Sequence, residues 1–183
     1  AKDQAGNVDP SPASRTWTIV EPQPEPGPQP EPEPQPQPGP GTGERVELAK
    51  GKPASASSSS YDVHKPSNAV DRNASTRWSS AYRDGEWWQV DLGATKRIDA
   101  VRINWADAYA SSYRMQVSTD GRTWTTVATE SISSNGWHET RFNPVDARYV
   151  RIVGLSRAMS QWGISFYEAE VYGTEAPVRS ELA

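Results

Sequence analysis

Flat rings and side-chain oxygens recur in four short stretches of this chain. The first runs from Ser57 to His64 and ends Tyr61-Asp62-Val63-His64. The second, Ser80 to Glu86, holds Tyr82, Arg83 and Asp84. The third, Asn104 to Ser111, holds Trp105, Asp107 and Tyr109. The fourth, Ser156 to Gly163, holds Gln161 and Trp162. An aromatic face matches the C–H side of a pyranose, and planar polar groups match its hydroxyls. Each such contact is worth about 0.5–1.5 kcal/mol, by analogy with aromatic pairs. A second group of residues is Asp71, Asn73 and Thr76. These are hard oxygen donors at short, irregular spacing, the type that calcium collects in sixes to eights. An Asx-turn with no metal uses the same residues.

The surrounding pattern must position these groups. Trp88, Val90 and Leu92 alternate with Gln89 and Asp91. Val101, Ile103 and Trp105 alternate with Arg102 and Asn104, and Tyr113, Met115 and Val117 with Arg114 and Gln116. Ser118-Thr119-Asp120-Gly121 is a turn signal before Thr123–Val127, and Arg148–Val153 and Ile164–Tyr172 alternate again. Period-two patterning with turn residues between the runs predicts an all-β, antiparallel β-sandwich or jelly roll. Trp78, Trp88 and Trp124 fall in strand patterns and are expected in the core. Trp105 continues the inward face of its strand, so core and ligand contact are both open to it. Trp137-His138 follows the hairpin signal Asn135-Gly136 and is expected on a strand surface.

Composition changes abruptly along the chain. Residues 21–43 alternate proline with Gln, Glu and Gly, whereas Glu44 to Gly173 contains three prolines and seven of the eight tryptophans. The proline stretch is expected to be a disordered, extended linker of polyproline II character, with a reach of roughly 60–70 Å. Residues 44–174 form the foldable module, and 175–183 a flexible tail. Residues 1–20 resemble the last strands of a bacterial immunoglobulin-like domain, so an upstream remnant is expected there.

Residues 44–175 carry 16 Lys/Arg and 16 Asp/Glu, so the module is formally neutral; the net charge of −4 resides in the first 43 residues. A neutral module exerts no long-range pull on nucleic acid or an anionic membrane. No apolar run approaches a membrane span. The absence of cysteine excludes disulfides, zinc–thiolate sites and thiol catalysis.

A set of motifs in this order resembles the discoidin, or coagulation factor 5/8 type C, superfamily, whose bacterial members include family 32 carbohydrate-binding modules. The motifs are Asn68-Ala69-Val70-Asp71 with Ser75-Thr76-Arg77-Trp78; Trp88-Gln89-Val90-Asp91-Leu92-Gly93; Tyr113 to Gly121 with Trp124; Ala147-Arg148-Tyr149-Val150-Arg151; and Glu168-Ala169-Glu170-Val171-Tyr172-Gly173. The resemblance implies a discoidin-like sandwich with its variable loops gathered at one end.

It also implies a structural calcium ion held by Asp71, Asn73, Thr76, the Asn68 carbonyl and Glu168. Arg72 departs from the glycine common at that position, and arginine there is strained if the loop needs a positive φ. The implied carbohydrate contacts are Tyr61, His64, Tyr82, Arg83, Trp105, Asp107, Tyr109, Gln161 and Trp162. The third loop lacks the histidine of galactose-binding members. The set Trp105, Asp107, Tyr109 with Gln161-Trp162-Gly163 instead resembles modules of glucan- and chitosan-degrading enzymes.

The implied function is a non-catalytic module that targets a secreted bacterial polysaccharide-active enzyme, in the same polypeptide, to its glycan. A monomer is expected. The alternative is a cell-surface adhesion or protein-binding discoidin domain. Glu168 and Glu170 lie two apart on a strand, about 7 Å, near the separation of an inverting glycosidase pair. The competing reading makes one a calcium ligand and the other a solvated edge residue.

Overall fold

The computed structural model describes residues 45–174. The expected immunoglobulin-like remnant (1–20), the proline linker (21–43) and the tail (175–183) lie outside the described residues. The strands are β1 (Val46–Glu47), β2 (Ala54–Ala56), β3 (Trp78–Ser79), β4 (Trp87–Trp105), β5 (Ala110–Ser118), β6 (Thr125–Ser131), β7 (Gly136–Arg157) and β8 (Ser165–Thr174). A short 3-10 turn, Pro66–Val70, precedes the Asp71 loop. All strand pairs are antiparallel.

Two strands serve in both layers. β4 and β7 pair as Trp87↔Val153 through Asp91↔Tyr149, lose register, and resume as Lys96↔Ala147 through Trp105↔Gly136. The break carries Gly93 at φ 85°, a left-handed conformation that glycine adopts without strain. On one side of the break, β4 and β7 join β2, β5 and β6. On the other side they join β8, which also pairs with β1 and β3. Long alternating strands with a bend of this kind close a sandwich without extra crossovers.

The alternation expected from sequence is present. Trp88, Val90, Leu92, Val101, Ile103, Trp105, Tyr113, Met115 and Val117 are all buried. Phe166 sits among three indoles, with ring centroids 5.1 Å from Trp78, 5.5 Å from Trp88 and 5.3 Å from Trp105. Burying a side chain of this size contributes roughly 1.5–3 kcal/mol. Trp105 is thus a core residue, which resolves the choice left open by its strand position.

Trp124 differs from expectation. It is half-buried at the surface beneath the Arg151 guanidinium, 3.7 Å from the ring centroid. Arg151 also overlies Trp87 at 4.5 Å, and both its Nε and Nη2 donate to Gln89 Oε1. Trp124 follows a turn, so the strand pattern around it was too short to fix which face it takes. The Ser118–Gly121 turn itself is as expected: Asp120 Oδ1 accepts from the Arg122 and Thr123 amides, both at 2.8 Å.

Candidate functional site

The loops predicted to carry rings meet at one end of the sandwich, because each leaves a strand there. Ser60 N–H donates to Ser79 O, Ser80 N–H to Ile164 O, and Ser165 N–H to Ala108 O. These bonds zip the first, second, third and fourth loops together. Gly163 is required where the second and fourth loops touch, because a Cβ there would collide with the Ser80 carbonyl oxygen.

Four rings from three loops form a chain. His64 meets Tyr61 edge-on at 5.6 Å, and Tyr82 meets Trp162 edge-on at 6.0 Å. The Tyr61 and Tyr82 hydroxyls, 3.1 Å apart, join the two pairs. Tyr61, Tyr82 and Trp162 remain 58%, 45% and 50% exposed, high values for rings of this size. They line a cleft of about 500 Å³ with His64, Asp107 and Gln161, and with Arg77, Ser79, Ser165 and Tyr167.

Six of the nine sequence-predicted contacts therefore come together: Tyr61, His64, Tyr82, Asp107, Gln161 and Trp162. Three do not. Trp105 is buried. Tyr109 packs, partly buried, against the core. Arg83 donates through Nε to the buried Glu86 carboxylate. Arg77 and Tyr167 were missed. Both belong to strand-like sequence, Arg77 just before β3 and Tyr167 within β8, so nothing local marked them as loop groups.

Glu86 organises the rim from below. Its carboxylate accepts from Ser57 Oγ, Ser58 Oγ and Arg83 Nε. Burial alone would raise its pKa, but these donors outweigh burial and hold it below the ordinary carboxylate range. Ser58 Oγ in turn accepts from the Ala81 amide at 2.8 Å, so one carboxylate fastens two ring-bearing loops. Asp84 accepts from Arg157 Nε at 2.9 Å, and Arg157 Nη1 donates to Ser160 O and Trp162 O at 2.7 and 3.1 Å. Asp84 is thus a strut for the fourth loop and, like Asp62, does not line the cleft. Burial, with the Arg77 charge, lowers the pKa of His64 below the ordinary imidazole value. Its Nδ1 lies 2.9 Å from Ser60 Oγ.

The Asp71 loop lies apart from the cleft. Asp71 Oδ1 accepts from Asn73 N–H at 2.8 Å, and Oδ2 from Thr76 Oγ1 at 2.7 Å. Asn73 Oδ1 accepts from Ser75 N–H at 3.0 Å. Asn68 donates through Nδ2 to Val63 O and Arg77 O, at 2.8 and 3.1 Å.

Arg72 has φ 63°, the left-handed conformation that its position was suspected to need. Its guanidinium pairs with Glu47 at 2.8 Å and with Glu170. Its N–H donates to Glu168 Oε2 at 3.1 Å. Glu168 Oε1 is buried with no partner among the described residues. Burial, with Asp71 and Glu170 as neighbouring negative charges, pushes the Glu168 pKa up to about 7. A buried carboxylate oxygen without a donor, under the influence of the Asp71 charge, is the kind of group a hard cation takes, although no three acidic or histidine side chains cluster there among the described residues. Asp71 and Glu168 would supply its charge, and Asn73, Thr76 and the Asn68 carbonyl its neutral oxygens.

Glu168 and Glu170 are both buried and contact Arg72, not the cleft. Their matching face, expected from sequence, is real, but its partner is the Asp71 loop.

The profile of the F5/8 type C domain matches residues 53–168. The chain belongs to that family. Chitosan-binding module 1 of a chitosanase/glucanase from Paenibacillus sp. IK-5 is 40% identical to this F5/8 type C module. The match covers 70% of this chain and 99% of that one, with a TM-score of 0.67. Chitosan-binding module 2 of the same enzyme, solved with chitotriose, is 39% identical, covering 69% and 99%, with a TM-score of 0.66. The polysaccharide lyase 8 family protein HylA of Enterococcus faecalis is 30% identical over 120 residues, 62% of this chain; the chain spans 8% of its length.

Proposed function

We propose that this F5/8 type C module is a non-catalytic carbohydrate-binding module that holds a polysaccharide-active enzyme on its glycan, a glucan or chitosan-like polymer. The observation that carries this reading is the arc of His64, Tyr61, Tyr82 and Trp162 around one cleft. The rings offer stacking faces, while Arg77, Asp107 and Gln161 offer planar polar groups for hydroxyls. Asp107 is the acidic residue lining the cleft, so it can meet one amino or hydroxyl group. A lone carboxylate does not supply the acid and base of glycoside hydrolysis. The kinship with the chitosan-binding modules supports the amino-glucan end of the range.

Binding at one small cleft is expected to be weak, on the order of 10 μM to 1 mM. Tethering to a catalytic domain makes that sufficient, because both act on the same insoluble surface. Such an enzyme works outside the cell, so secretion belongs to this proposal. We further propose that the Asp71 loop holds a structural calcium ion that ties it to β8 through Glu168.

The test is a pull-down on insoluble chitosan, β-1,3-glucan, α-glucan and galactan. Wild type should be retained by one of the first two more strongly than by galactan. Trp162→Ala should lose at least half of that retention at an unchanged melting temperature. Retention equal to wild type would remove the cleft as the binding site.

A further inference from the structure

The cleft accounts for the exposed rings of three loops but not for Trp137, which is 42% exposed at the start of β7. Gly136 lies opposite Trp105 and Trp137 opposite Asn104, so β4 runs from this pair directly into Ala106 and Asp107 at the cleft rim. The connection is also bonded: Asn135 Nδ2 donates to Asp107 Oδ1 at 2.5 Å. Trp137 stands two residues beyond Asn135, as the second residue of β7.

The ring is already oriented. The Arg102 guanidinium lies over it, 4.2 Å from the centroid, and is itself held 3.7 Å from Glu170. Arg102 precedes Asn104 on β4, on the side away from Asp107, and it covers one face of the ring. An indole held by a guanidinium therefore adjoins the end of the strand that carries the cleft-rim residue Asp107. A preoriented ring also gives up little freedom when a ligand stacks on it.

We propose that Trp137 is a second stacking platform, on which a further pyranose unit of the chain held in the cleft comes to rest. This rests on the carbohydrate reading above. It makes the module a reader of chain length as well as of the unit seated in the cleft.

Glucosamine oligomers and β-1,3-linked glucose oligomers of two to six units should be titrated against wild type, Trp137→Ala, Trp137→Phe and Trp162→Ala by calorimetry. For the series that binds, wild-type affinity should rise with length. Trp137→Ala should bind the dimer as wild type does and lose about two- to tenfold at the hexamer, the size of one aromatic contact. Trp137→Phe, which keeps a ring, should retain most of the gain. Trp162→Ala should weaken every length alike. If Trp162→Ala weakens all lengths while Trp137→Ala weakens none, the platform is wrong and the cleft stands. If Trp162→Ala leaves every length unchanged, the cleft reading falls and this one with it.

Discussion

Arg72 and Glu170, nearly a hundred residues apart in sequence, form an ion pair that lets a non-glycine residue sit at φ 63°. Left-handed backbone costs an ordinary residue about 1–2 kcal/mol. The guanidinium offsets that by neutralising two acids, Glu47 and the buried Glu170. Arg72→Gly relieves the strain but takes the guanidinium from both. Arg102 at 3.7 Å and the Tyr172 hydroxyl at 2.6 Å still serve Glu170, and Arg72 is itself partly exposed. The loss should therefore fall below the 3–5 kcal/mol of a fully buried pair, leaving a net destabilisation of about 1–2 kcal/mol. Chemical denaturation measures it. A more stable glycine variant would show that strain outweighs the ion pairs.

Calcium should stabilise the module through Glu168. An ion at a hundredfold excess over its Kd adds about 2.7 kcal/mol. For a module of this size that is roughly 5–15 °C in melting temperature. EDTA should remove the gain from wild type, and Glu168→Gln should be insensitive to both calcium and EDTA. A wild-type protein verified free of metal and melting at the same temperature with and without calcium would end the calcium proposal.

Glu86 touches no ring, yet it should control binding. Glu86→Ala leaves Ser58 and Arg83 without their carboxylate acceptor and Ser57 with the Trp87 carbonyl alone, which removes a side-chain tie between the first and second loops. Oligosaccharide affinity should drop at least threefold while the core β-sheet spectrum by circular dichroism is retained. Glu86→Gln keeps one acceptor oxygen and should fall between the two. Equal affinity in all three proteins would mean the loops are held by their backbone bonds alone.

Acid should weaken the module through Asp91. The Arg148 guanidinium, donating from Nε and Nη2 at 2.8 Å each, holds the Asp91 carboxyl below the ordinary aspartate range, helped by the Gly93 amide. A depressed folded-state pKa gives stability that is complete above the unfolded value, about 3.9, and is lost as pH falls below it through the folded one. Melting curves of wild type and Asp91→Asn from pH 6 to pH 2 should differ most at pH 6 and converge below about pH 4. A constant gap across that range contradicts the assignment.

Period-two alternation was legible wherever a strand was long enough to repeat it. Spacing alone puts Val101, Ile103 and Tyr113-Met115-Val117 on the buried face, since only two faces exist; for Trp105, at the end of its strand, it leaves core and ligand contact open. The loops bearing Tyr61, Tyr82 and Trp162 were legible as well, because rings beside turn residues have no strand to bury them. Local order could not say which of these residues converge. Tyr109 and Tyr82 both read as loop aromatics, yet one packs on the core and the other rims the cleft. Arg83 and Arg77 carry the same charge, but a buried carboxylate three residues away claims the first. The cleft itself exists only where antiparallel pairing brings residues 60, 79, 107 and 165 to one end. Contacts across a hundred residues are set by strand register, and register is a property of the whole sheet, not of any segment in it.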